Sequence, residues 1–213
     1  MLLAIDTSTH VTGLACYDAT GLLGECVWQS GREHTTQLLP QLTLLLRHLG
    51  RTPESITAVG VALGPGSWSG LRVGLSSAKG LALARGLPLI GVGTLDVLAY
   101  QHQRRGELVI PLVRLGRDRF AIPGAGEPRN VSLAEICAEV NGRVFFCGDI
   151  DAEVRDTLRH YLADRAQFPS AAANVRRPGY LAELAWQRLQ AGMVDNLASL
   201  EPLYLAQPVK ARA

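Results

Sequence analysis

The order of apolar runs in the first hundred residues limits the fold more than any other feature of this chain. Three short segments, Leu2 to Asp6, Thr12 to Tyr17 and Leu22 to Trp28, follow one another, with Gly21 in the turn between the last two. Short apolar runs divided by turn residues predict an antiparallel meander. A leucine-rich helix is expected from about His34 to Leu49, stopped by Gly50 and Pro53, with Pro40 in or near its first turn. Ala58 to Leu63 reads as a buried strand. Gly64 to Gly74 leads into a second helix ending near Gly86 and Pro88, and Leu89 to Val92 is another buried strand. Thr94 is placed to cap the helix that follows. The order is β-β-β-α-β-α-β, which predicts a mixed sheet with helices on its faces.

That order matches one lobe of the ribonuclease H-like, actin-type ATPase fold. The expected class is α/β, with residues 1–100 as the first lobe and 101–213 as a smaller, truncated second lobe. In the second half, Leu108 to Val113, Arg119 to Ile122 and Val144 to Cys147 are expected strands. Pro123 to Pro128 is a loop, Ser132 and Glu135 form a capping box, and helices are expected over Ala152 to Leu162 and Tyr180 to Gly192.

The chain has 213 residues, of which 47% are hydrophobic and 19% charged. A disordered tail protein is excluded. The charged share lies below the roughly 25% of an average domain, which fits either a well-buried core or a surface partly covered by another chain. A net charge of +2 gives no global field for nucleic acid. Lys79 and Lys210 are the only lysines among 21 basic residues, so arginine predominates. Arg104, Arg105, Arg114, Arg117 and Arg119 cluster in sequence, as do Arg176 and Arg177. A solvated surface is the default reading and an RNA patch the sharper one. There is no leader-like or membrane-spanning run, so a cytoplasmic protein without membrane contact is expected. Cys16, Cys26, Cys137 and Cys147 lie in apolar segments without metal-ligand spacing and read as buried free thiols.

Two loops could carry chemistry. Asp6, Thr7 and Ser8 stand at the tip of the first strand, where an acid and small hydroxyls can meet phosphate or its metal ion. The alternative is that they satisfy the turn itself. Gly64 and Gly66 bracket Pro65 before a helix, a geometry that can present N–H groups to an anion, although no P-loop lysine follows. Together these residues make a candidate, vestigial nucleotide loop. Metal or hydrolase catalysis finds no support. The histidines His10, His34, His48, His102 and His160 never pair at i, i+4, and no serine stands in a nucleophile elbow.

Two helices suggest a partner. Leu38, Leu42, Leu45 and Leu49 make one apolar stripe, and Leu39 and Leu46 a second, with Leu44 between them. A surface helix needs only one apolar face. Either this helix lies deep in the fold, or its second face docks on another protein. In the next helix Gly70, Gly74 and Ala78 form a smooth face, for a neighbour in the same chain or for a partner. Arg72, Ser76 and Lys79 form a polar stripe beside it.

Taken together, Ala4 to Thr9 (AIDTST), Arg32 to Thr35 (REHT) with its leucine-rich helix, Gly64 to Gly74 (GPGSWSGLRVG), Lys79 to Leu83 and Ile90 to Asp96 resemble the TsaB (YeaZ) family of bacterial tRNA-modification proteins. The resemblance covers the first hundred residues. It departs in the second half, where Arg114 stands in place of an expected acid and Ala206 in place of an expected arginine. The resemblance implies an actin-like fold and a non-catalytic partner of the transferase TsaD, which places a threonylcarbamoyl group on tRNA adenosine. It further implies an ATPase partner, TsaE, and indirect contact with tRNA. No cofactor of its own is implied, since ATP or ADP and metal enter through the partners. A homodimer of the chain when alone is an open alternative to the heterodimer with TsaD. Leu39, Leu46, Gly70, Arg72, Gly74, Ser76 and Lys79 are the implied partner interface. The competing reading is an active actin-family kinase or ATPase, with Asp6 as one acid and Asp118 or Asp149 as the other.

Overall fold

The structure, a computed structural model, describes residues 1–31, 33–103 and 106–205. Arg32 of the REHT run, Arg104, Arg105, Ala206 and Lys210 lie outside them. The chain divides into two compact units. The first is Met1–Val97 with Arg176–Leu203; the second is Leu98–Val175 with Tyr204 and Leu205.

The first unit contains β1 (Leu2–Asp6), β2 (Val11–Asp18), β3 (Gly21–Gln29), α1 (His34–His48), β4 (Ala58–Gly64), α2 (Trp68–Arg85) and β5 (Leu89–Gly93). The helix α3 (Thr94–Gln101) spans the division between the units. The sheet order is β3-β2-β1-β4-β5, with the meander antiparallel and β1-β4-β5 parallel. Period-two alternation sorts the strands into two cores. Leu3, Ile5, Val59 and Val61 face α1 and α2, together with Leu38, Leu42, Leu75 and Ala78. Leu2, Ala4, Ala58 and Ala62 face the other way, against Leu181, Ala182 and Ala185 of α6 (Pro178–Gln190).

The packing of α6 differs from the sequence expectation, which placed everything from residue 101 onward in the second lobe. The residues beneath α6 are small, and this lets a helix come close. A side chain at Gly60 would stand 2.8 Å from the Ala185 Cβ, and one at Gly13 3.0 Å from Pro178. Two local expectations also change. Pro40 lies in the second turn of α1, not the first. Thr94 is the first residue of α3, and its buried Oγ1 has no hydrogen-bond partner among the described residues, so it does not act as a cap.

The second unit contains β6 (Leu108–Arg114), β7 (Phe120–Ile122), β8 (Arg129–Val131), α4 (Leu133–Glu139), β9 (Val144–Gly148), α5 (Ala152–Leu162) and β10 (Ala166–Gln167). The expected capping box is present: Ser132 Oγ accepts from the Glu135 N–H while the Glu135 carboxylate accepts from the Ser132 N–H. The sheet order β10-β9-β6-β7-β8 repeats the first unit's topology, an antiparallel meander followed by two parallel strands. Its outer strands have two and three residues, too short to announce themselves by periodicity.

Candidate functional site

The tip of β1 is buried: Asp6, Thr7 and Ser8 are at most 3% exposed. Ser8 donates both its N–H (2.9 Å) and its O–H (2.5 Å) to Asp6 Oδ1, so the carboxylate closes its own turn. The glycine elbow before α2 lies directly on this tip. Thr7 Oγ1 donates to the Gly70 carbonyl at 2.7 Å, and the Ser67 N–H donates to the Ser8 carbonyl at 2.6 Å. A side chain at Gly66 would overlap the Ser8 carbonyl oxygen. Gly64 has φ of 106°, and a Cβ there would also stand 2.8 Å from the Leu203 carbonyl. The five residues singled out as a nucleotide loop therefore do come together, with the two loops hydrogen-bonded to each other.

A sixth residue joins them that sequence reasoning placed elsewhere. Arg176, grouped above with a surface arginine cluster, is 8% exposed. Its Nη1 donates to Ser8 Oγ at 2.6 Å and stands 3.8 Å from Asp6 Oδ2. Arg177, next in sequence, instead pairs with Glu25 at 2.5 Å. Nothing local distinguishes the two arginines; the docking of α6 on β2 decides which one is buried.

His34 opens α1 from a buried position. Its Nδ1 lies 2.7 Å from Thr12 Oγ1 and 2.9 Å from Ser30 Oγ, and the two hydroxyls are 2.7 Å apart. Burial lowers its pKa below the ordinary histidine value of 6.5.

The helix faces are partly as expected and partly corrected. Leu39 is 54% exposed, with Leu44 and Leu83 also open to solvent. Leu46, by contrast, is 3% exposed and belongs to the core. Seven residues at about 100° each fall some 20° short of two turns, which rotates Leu46 away from Leu39 and toward Leu42 and Leu38. The smooth face of α2 is internal. Side chains at Gly70 and Gly74 would overlap the Thr7 carbonyl and Thr7 Oγ1, and Ala78 is fully buried. Gly70 and Gly74 therefore let α2 approach β1 and are not available to a partner. Arg72 and Ser76 are exposed and Lys79 half-buried; the Arg72 guanidinium lies over the Trp68 ring at 4.4 Å.

In the second unit two of the arginines expected as a cluster, Arg114 and Arg119, are engaged internally. Arg114 pairs with Asp151 at 2.6 Å and its backbone N–H donates to Asp149 Oδ2; Arg119 pairs with Glu135 at 2.9 Å. Among the described residues no group of three or more His, Cys, Asp or Glu side chains could hold a metal ion. Cys16 and Cys147 are buried thiols, whereas Cys26 and Cys137 are only half-buried. Burial pushes the Cys16 thiol up to about 11. No helix among the described residues is long and apolar enough to cross a membrane.

Two units of like topology, each a meander continued by parallel strands and covered by helices, define an actin-like α/β protein. The family model for TsaD, tRNA N6-adenosine threonylcarbamoyltransferase, matches residues 28–123. The chain is 26% identical to the tRNA threonylcarbamoyladenosine biosynthesis protein TsaB of Bacillus subtilis, over 96% of this chain and 93% of that one. It is 39% identical to the Escherichia coli TsaB over 49% of this chain and 45% of that one. The structure of YeaZ from Pseudomonas aeruginosa superposes with a TM-score of 0.75 at 22% identity, covering 96% of this chain and 99% of that one. The chain is thus similar along nearly its whole length to a TsaB protein and shares the fold of YeaZ.

Proposed function

We propose that this chain is a non-catalytic subunit that supports a TsaD-type transferase in forming N6-threonylcarbamoyladenosine in tRNA. The observation that carries the reading is the exposure of Leu39 and Leu44 on α1 and of Leu83 on α2. Leu39 and Leu83, each more than half exposed, are the apolar side chains of these two helices that a partner would cover. Burying a leucine side chain contributes about 1.5–3 kcal/mol, so a partner covering them gains several kcal/mol. Arg72, Ser76 and the half-buried Lys79 would supply the polar rim of such a contact. The relatives named as tRNA threonylcarbamoyladenosine biosynthesis proteins supply the chemistry the complex serves. In this reading the chain holds no nucleotide of its own. ATP or ADP and metal belong to the partners, TsaE among them, tRNA is contacted through the complex, and the free chain pairs with itself through the same surface in the cytoplasm.

The test is light scattering on the chain mixed with purified TsaD. A 1:1 complex is expected for the wild type. Leu39→Asp and Leu83→Asp should weaken it at least about 100-fold, since an unpaired charge desolvated at an interface costs several kcal/mol. Undiminished binding by both variants would show that the surface lies elsewhere, and no complex with the wild type would show that the partner is wrong.

A further inference from the structure

We propose that Arg176 takes the place of a divalent cation at the tip of β1, so that the first unit closes its own phosphate loop with a tethered guanidinium. An actin-like fold implies a metal–nucleotide held at this tip by its acid, but the residues present do not fit one. Asp6 Oδ1 already accepts two hydrogen bonds from Ser8, and Asp6 Oδ2 faces the Arg176 guanidinium at 3.8 Å. Both side chains are at least nine-tenths buried, at 4% and 7% exposure. The Ser8 hydroxyl, the next oxygen that could meet a metal, accepts from Arg176 at 2.6 Å. The elbow offers no gap either, because the Ser67 N–H is bonded to the Ser8 carbonyl and Gly66 is pressed against that same oxygen.

The charges then balance without an ion. A lone buried carboxylate or guanidinium is strongly disfavoured, and the two compensate each other. A divalent ion brought to Asp6 would meet the guanidinium's repulsion at close range in a poorly screened site. Arg176 also stands two residues before α6, so the pair fastens the β1 tip to the segment that returns to the sheet. Arg176 is thus a positioning residue. This inference deepens the reading of the chain as a subunit without nucleotide chemistry, and is tested separately from partner binding.

The experiment uses the full chain as wild type, Asp6→Asn, Arg176→Gln, the double variant and Arg176→Lys. Free Mn²⁺ is followed by electron paramagnetic resonance with and without ATP, and stability by urea unfolding. The wild type should leave the Mn²⁺ signal, and the MnATP signal when ATP is present, the same as in protein-free buffer. Each single neutralisation should raise the unfolding equilibrium constant about 100-fold or more, while the double variant falls short of the product of the singles by at least about tenfold. Arg176→Lys, which keeps the charge, should remain folded and Mn²⁺-free even if the neutral variants do not fold. Uptake of Mn²⁺ or MnATP by the wild type that Asp6→Asn abolishes would overturn the proposal, as would single effects that simply multiply. Co-elution of the wild type with TsaD reports on the proposed function alone, so either idea can fail without the other.

Discussion

Two glycines of one helix should respond to the same substitution with opposite signs. Gly80 in α2 is exposed, and a methyl group placed there meets nothing within 4 Å. Gly80→Ala therefore keeps only the helix-propensity gain and should stabilise the chain by about 0.5–1 kcal/mol. Gly70 stands in the first turn of the same helix, where a Cβ would overlap the Thr7 carbonyl oxygen. An ordinary carbon–oxygen contact is about 3.3–3.6 Å, so α2 has to retreat from β1 by about an ångström. That movement strains the Thr7 Oγ1 bond to the Gly70 carbonyl and the Ser67 N–H bond to the Ser8 carbonyl. Each is worth about 1 kcal/mol net, and overpacking adds about 1–3 kcal/mol. Set against a propensity gain of at most about 1 kcal/mol, Gly70→Ala should destabilise by about 2–4 kcal/mol. Urea unfolding with circular dichroism measures both variants. If the smooth face of α2 were open to a partner, Gly70→Ala would behave like Gly80→Ala in the isolated chain. Equal or greater stability for Gly70→Ala would refute the packing of α2 on the β1 tip.

The two leucines of the second α1 stripe should separate in the same way. Leu46→Ala should cost about 2–5 kcal/mol because it empties a core position, whereas Leu39→Ala should stay within about 0.5 kcal/mol; similar losses in denaturant unfolding would contradict their placement. The buried His34 should make stability pH-dependent in one direction. Its folded pKa lies below its unfolded value, so the unfolded chain takes up the proton first, and stability falls as pH drops below about 6.5 toward the lowered folded value. Thermal unfolding between pH 8 and pH 5 should show this slope, and His34→Gln should flatten it; an unchanged slope would assign the titration to another group.

The local elements of the first unit are legible in its residues. Its strands are short apolar runs bounded by turns, its helices carry leucine or small-residue periodicity, and Gly86 ends α2 in the left-handed region. These are local signals, set by backbone sterics and by the need to bury an apolar face. The nucleotide-loop residues were legible for the same reason, since Asp6 and the glycine elbow each follow a strand. Which face each helix hides was not legible. A seven-residue spacing puts Leu39 and Leu46 on nearly one line, and only the position of the sheet beneath shows that one is core and the other surface. The return of α6 and the burial of Arg176 in place of Arg177 were decided by tertiary structure alone. Both depend on groups some 170 positions apart in the chain, Ser8 and Arg176, and burial energy acts on what meets in space, which no window along the sequence records.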